Sequence, residues 1–359
     1  MHRTIQSSRT RQAGFSLIEL MVGLAIGLLA TIVIIQVMSV FDAQRRTTTG
    51  SADAQTNGGI ALYSIARELQ MAGYPLLPAA DSPMECTTVN YGGTGISGIT
   101  PVAITNGVAA SGVNATDSIT IRYGTSQMGG TVSQINSLVG SDATVVSSIG
   151  CQVNDITLIT SGATCSISKA TALPTVAGTP PVYKVTLANT TGAASGAYLA
   201  CLGTWNEVTY AVNQATGNLD RTSVVNGVSS TTPSVVGVVN IQAQYGISAT
   251  ANSNQVTAWV DPTGATWAAP TVADRNRIKA IRIAVVARNS KQEPSVVSTA
   301  CSSTTAAAPT GVCAWAGTAA SPAPTIDLST ADANWAKYRY RVYETIVPLR
   351  NVIWSKDTL

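Results

Sequence analysis

One apolar run constrains this chain more than any other feature. From Phe15 to Phe41 the sequence reads FSLIELMVGLAIGLLATIVIIQVMSVF, with Glu19 its single charge. The 22 residues from Leu20 to Phe41 carry none. As a helix rising about 1.5 Å per residue they span a hydrocarbon core of roughly 30 Å. Residues 1–14, MHRTIQSSRTRQAG, hold three arginines and no acid. That flank holds the amino-terminal end in the cytoplasm, so the chain beyond Phe41 is exported.

Composition removes much of enzymology. His2 is the only histidine among 359 residues, so imidazole proton shuttles, Ser-His triads and histidine zinc sites lack their central group. Lysine and arginine number 21 against 18 acids, and no basic cluster suggests a nucleic-acid partner. Gly93-Thr94-Gly95-Ile96-Ser97-Gly98 fits G-x-G-x-x-G, with Asp117 near the distance of a ribose-binding acid. Pro101 and a Thr/Val/Gly-rich stretch replace the helix that a dinucleotide site needs, so it reads as a glycine loop. No catalytic, metal or cofactor residues are expected.

A signal peptide explains the amino terminus poorly. Its apolar region would be shorter, and the small-residue site Ala52-Asp53-Ala54 lies too far beyond the run. A plain membrane anchor leaves Glu19 unexplained, since a carboxylate at mid-bilayer costs about 2.5–3.5 kcal/mol. Gly14-Phe15-Ser16-Leu17-Ile18-Glu19-Leu20 resembles the prepilin motif of type IV pilins and type II secretion pseudopilins. The resemblance implies cleavage after Gly14 by prepilin peptidase and N-methylation of Phe15. It also implies that Glu19 pairs with the terminal amine of a neighbouring subunit during assembly. Both charges would otherwise be buried alone, at high cost. Gly23 and Gly27 form a small-xxx-small face that permits close helix packing.

Helical character continues past the membrane segment. Leu62, Ile65, Ala66 and Leu69 fall at i, i+3, i+4 and i+7, and Gly73-Tyr74-Pro75 ends the helix. Thr47–Gly50 and Gly58-Gly59 are expected weak points. From Pro75 onward the pattern is β: strands at Ser118–Tyr123, Val182–Leu187, Val238–Tyr245, Ile278–Arg288 and Tyr338–Val347. Glu207–Val212, a turn at Asn213–Asn218 and Leu219–Arg221 read as a hairpin. Ser302–Pro309 and Gly317–Pro324 read as surface loops. Trp335, Tyr338, Tyr340, Tyr343 and Trp354 read as core packing before interaction surface.

The carboxy-terminal half carries a second resemblance. Val235–Gly246, the Ile281–Arg288 strand and Arg341–Asn351 are similar to the PilW family of minor pilins. The fold this implies is α+β and type IV pilin-like: a long N-terminal α-helix, membrane-spanning in its first half, packed on a large antiparallel β-sheet head. The expected divisions are a leader (1–14), a transmembrane and filament-core helix (15–41), an amphipathic helix on the head (42–75), a variable region (76–204) and the pilin sheet region (205–359). The implied role is a non-catalytic assembly subunit in the tip or initiation complex of a type IV pilus, supporting twitching motility or adhesion. Its partners would be prepilin peptidase, other minor pilins, the major pilin and the inner-membrane assembly platform. A J-like type II secretion pseudopilin and a pilus-associated adhesin are the alternatives. The protein would sit in the inner membrane with a periplasmic head, then in the extracellular pilus.

Six cysteines lie beyond the membrane segment, an even number that suits disulfides in an oxidising compartment. Nearest-neighbour pairing gives Cys151–Cys165 and Cys301–Cys313, and leaves Cys86–Cys201. The net charge has a local origin. Arg3, Arg9 and Arg11 lie in the leader, so cleavage after Gly14 removes the whole net +3 and leaves 18 basic and 18 acidic side chains.

Overall fold

The computed structural model describes residues 14–76, 86–110, 114–176 and 180–353. The leader arginines and Trp354 lie outside the described residues. The chain divides after Gly50 into two units, and one helix, α1 (Leu17–Met71), contributes to both. It runs unbroken through Thr47–Gly50 and Gly58-Gly59. At Gly58 tertiary packing overrides the low propensity of glycine, because the ring of Tyr343 lies where a side chain would go.

In the second unit the regular structure after α1 is almost all strand. β1 (Thr88–Asn90), β2 (Val102–Thr105), β3 (Ser118–Tyr123), β4 (Val132–Val139), β5 (Asp142–Val145) and β6 (Ile156–Ser161) come first. β7 (Thr164–Ala172), β8 (Thr175–Val176), β9 (Val182–Leu187), β10 (Tyr198–Gly203), β11 (Asn206–Asn213) and β12 (Asn218–Val225) come next. β13 (Val228–Val236), β14 (Val238–Ser248), β15 (Val256–Val260), β16 (Ile278–Arg288) and β17 (Tyr340–Pro348) complete the set. The only other α-helices among the described residues are short: α2 (Gly264–Trp267), α3 (Val272–Arg275) and α4 (Arg350–Ile353).

Two antiparallel sheets cradle the helix. One runs β13-β12-β11-β3-β2 and the other β15-β14-β16-β17. Ala61, Ile65 and Leu69 of α1 are buried against Ile119, Ile121 and Tyr210 of the first and Ile241, Ile281 and Ile283 of the second. The outer face of the second sheet is covered too. Trp315, Ile326 and Leu328, from the irregular stretch between β16 and β17, pack on Val239, Ala284 and Val286. β14 is therefore buried along its whole length, which accounts for a sequence with little alternation.

The described part of residues 76–204 is built in two ways. β2 and β3 belong to the five-stranded sheet, with β3 paired to β11 in register Asn206↔Tyr123. Between those partners is inserted a closed antiparallel barrel, β7-β6-β10-β4-β5-β9, in which β9 pairs back onto β7. Its interior holds Ile135, Val145, Ile159, Val185 and Leu199, with Cys201 among them. Its outer wall carries Ile156, Leu158, Cys165 and Ile167, packed under Leu76, Cys86, Ile96 and Ile99.

That wall corrects the cysteine pairing. The bonds are Cys86–Cys165, Cys151–Cys201 and Cys301–Cys313, not Cys151–Cys165 and Cys86–Cys201. Side chains on a strand alternate between faces. Cys165 on β7 points outward to Cys86, while Cys201 on β10 points inward to Cys151. Nearness in sequence has no bearing on which face a cysteine reaches. Cys301–Cys313 closes a loop short enough for sequence proximity to decide.

Candidate processing and assembly site

At the amino-terminal end the backbone itself makes the site. Gly14, Phe15 and Ser16 precede α1, and Phe15 is 79% exposed. The Ser16 carbonyl accepts from the N–H groups of Glu19, at 3.0 Å, and Leu20, at 3.2 Å, which opens the helix. The Gly14–Phe15 bond thus lies in accessible non-helical backbone, the form a peptidase can bind. Glu19 occupies the first turn, where a carboxylate complements the helix dipole. Within one chain it has no ion-pair partner among the described residues. Gly23 and Gly27 face open space, with nothing within 4 Å of an added Cβ. The helix is long and apolar enough to cross a membrane, and its apolar stretch is exposed all round. Such a surface needs lipid or other helices against it.

The head half of α1 is fixed by a different kind of contact. Glu68 stands beside the apolar stripe and reaches Arg221 of β12 at 2.8 Å. Tyr123 and Tyr210 close around this pair. Burial, followed by the Glu68 carboxylate, pushes the Tyr123 phenol well above its usual range. A second and more deeply buried pair, Arg122 Nε to Glu207 at 3.1 Å, joins β3 to β11. Glu207 also accepts from the backbone N–H and the hydroxyl of Ser97, so the glycine loop serves as a clamp on this pair. Asn351, in α4, donates to the carbonyls of Gln70 and Ala72, tying the last described element to the end of α1.

Comparison with known proteins adds two regions. Residues 9–35 match the prokaryotic N-terminal methylation motif, which spans Gly14, Phe15, Glu19, Gly23 and Gly27. Residues 209–351 match the family described as Type IV Pilus-assembly protein W. The two matches support a PilW-family type IV pilin. No curated protein matches it in sequence. Among solved structures it is similar to a type IV-like pilin from Thermus thermophilus, at 12% identity and a TM-score of 0.35. That likeness covers 84% of this chain and 97% of the other.

The PilW match covers β12 through β17 and most of β11, and leaves the barrel outside. The candidate processing residues are legible in the sequence, whereas the seam that holds the helix is not. Glu68 gave a usable signal, as a lone acid among Leu62, Ile65, Ala66 and Leu69. Arg221, Arg122 and Glu207 gave none, since only strand pairing brings them to their partners. Of the aromatic set, Trp335 and Tyr340 pack on the covered sheet face, while Tyr343 faces α1.

Proposed function

We propose that this PilW-family pilin is a minor pilin, a non-catalytic subunit of the tip or initiation complex that primes pilus assembly. The inserted barrel is the supporting observation. It adds bulk to the pilin head at β3 and β11, and a head so enlarged is hard to repeat densely along a thin shaft. Prepilin peptidase cuts after Gly14 and Phe15 is N-methylated. The new amine then meets Glu19 of an adjacent pilin, with Gly23 and Gly27 allowing the helices to close up. Before assembly the protein spans the inner membrane with its head in the periplasm, in reach of the assembly platform. Twitching and adhesion would depend on it through pilus number.

Immunogold labelling of the barrel on sheared pili tests the placement. Label confined to filament ends is expected, and even labelling along shafts would refute a tip position. A deletion strain should lose most of its surface pili, whereas normal piliation with impaired protein secretion would assign the chain to a type II system.

A further inference from the structure

A cavity of about 180 Å³ opens where the β11–β12 turn, the end of β16 and the crossover before β17 converge. It is smaller than the roughly 300–1,000 Å³ typical of drug-sized ligand sites and suits a single ring. Trp335 and Tyr340, both half-buried, supply aromatic surface. Asn114, Gln214, Arg288 and Asp332 supply planar polar groups. Arg288 and Asp332 pair at 3.3 Å, so the lining carries no net charge. The Arg288 guanidinium also rests 4.5 Å over the ring of Tyr338.

These groups are held in place before any ligand arrives. Gln214 accepts from the Asn114 N–H at 2.5 Å and donates to the Asn114 carbonyl at 2.7 Å. The Asn114 side-chain oxygen accepts from Ala331 N–H at 3.0 Å. Asn114 is only 7% exposed, and with its oxygen used its amide donors are left for the cavity that it lines. A mere packing defect would be apolar and dry. This cavity is polar, neutral and aromatic on one side. An anion would need an unpaired cation, and an apolar ligand would strand the amides.

We propose that this cavity binds one neutral pyranose residue of a glycan. The ring's C–H face would lie on Trp335 or Tyr340, its C–H dipoles matching the negative face of the aromatic ring. Its hydroxyls would take the Asn114 donors and the outer lone pairs of Asp332. The claim concerns ligand binding alone and does not depend on where the pilin sits in a filament.

Saturation-transfer difference NMR on the full chain, in a detergent without a sugar headgroup, tests this. The probes are methyl α-glucoside, methyl β-galactoside, methyl α-mannoside and N-acetylglucosamine. Saturable transfer to at least one is expected, unaffected by excess sodium sulfate. Asn114→Asp keeps the acceptor for Ala331 but removes the donors, and should weaken binding at least tenfold. Trp335→Ala should do the same, while Trp335→Phe stays within about threefold. If Trp335→Ala unfolds, Asn114→Asp and Trp335→Phe carry the test. Absence of transfer from all four sugars, unchanged binding in Asn114→Asp, or displacement by sulfate would overturn the proposal.

Discussion

Gly58 and Tyr343 meet so closely that neither can change alone. The ring of Tyr343 lies where a Cβ on Gly58 would stand, with Ala287 just beyond. Gly58→Ala should therefore cost about 1–3 kcal/mol by overpacking, read as a lower urea midpoint for the full chain in detergent. Adding Tyr343→Leu should return part of that loss, a coupling that two independent sites would not show. Glu68→Ala leaves Arg221 half-buried without its carboxylate and should cost about 2 kcal/mol, in the range of hydrogen bonds to charged groups. Asp117 behaves in the opposite sense. Burial holds its carboxyl up at about 6, against the usual 3.8, although the N–H groups of Ala243 and Gly107 donate to it. The folded state thus binds this proton more tightly than the unfolded one. The group's contribution is fully present below pH 3.8 and is lost as the pH rises through about 6. Unfolding of wild type and Asp117→Asn at pH 4, 5 and 7 should show the wild type losing ground to the variant as the pH rises.

Among the elements, strands with clear apolar runs were legible and their neighbours were not. Ser118–Tyr123, Val182–Leu187 and Ile278–Arg288 are strands over the lengths that their alternation or β-branched content predicts. The hairpin at Glu207–Arg221 is β11 and β12, with Gly217 in the left-handed turn position, φ +67°. The apolar face of α1 was also readable, although buried Ala54, Gly58 and Ala61 extend it further toward the amino terminus than the leucine stripe suggests. Closure of the barrel was not readable. The barrel interior is partly small and polar, with Thr157, Ser166 and Ser168 buried beside the aliphatics, so its strands lack a clean hydrophobic alternation. The cavity is illegible in the sequence for a related reason, since Asn114, Gln214, Arg288 and Trp335 are far apart along the chain. Because Tyr123 and Asn206 are paired neighbours, the barrel can be bypassed by a two-residue Asn-Gly turn joining β3 to β11. Such a protein should keep its β-sheet circular dichroism yet unfold at lower temperature. Ile96, Ile99 and Trp205 would lose the barrel wall that now buries them.

Taken whole, the molecule joins a long apolar helix to a β-rich head, and the residues after Gly14 carry 18 basic and 18 acidic side chains. Glu19→Ala should leave membrane insertion unchanged, because it only increases the apolar length. Incorporation into sheared pili should fall at least tenfold, and incorporation at the wild-type level would remove Glu19 from assembly. The cysteine connectivity also has a consequence in time. On the proposed topology the head leaves the cytoplasm from its amino-terminal side, so the first four cysteines enter the oxidising compartment in the order Cys86, Cys151, Cys165, Cys201. An oxidase joining them as they arrive would make Cys86–Cys151 and Cys165–Cys201, and neither is native. The two native bonds interleave, and each must wait for a later partner. On that topology, maturation would involve bond exchange as well as bond formation. Cells with an oxidase but no disulfide isomerase should accumulate a mispaired head while the helix inserts normally.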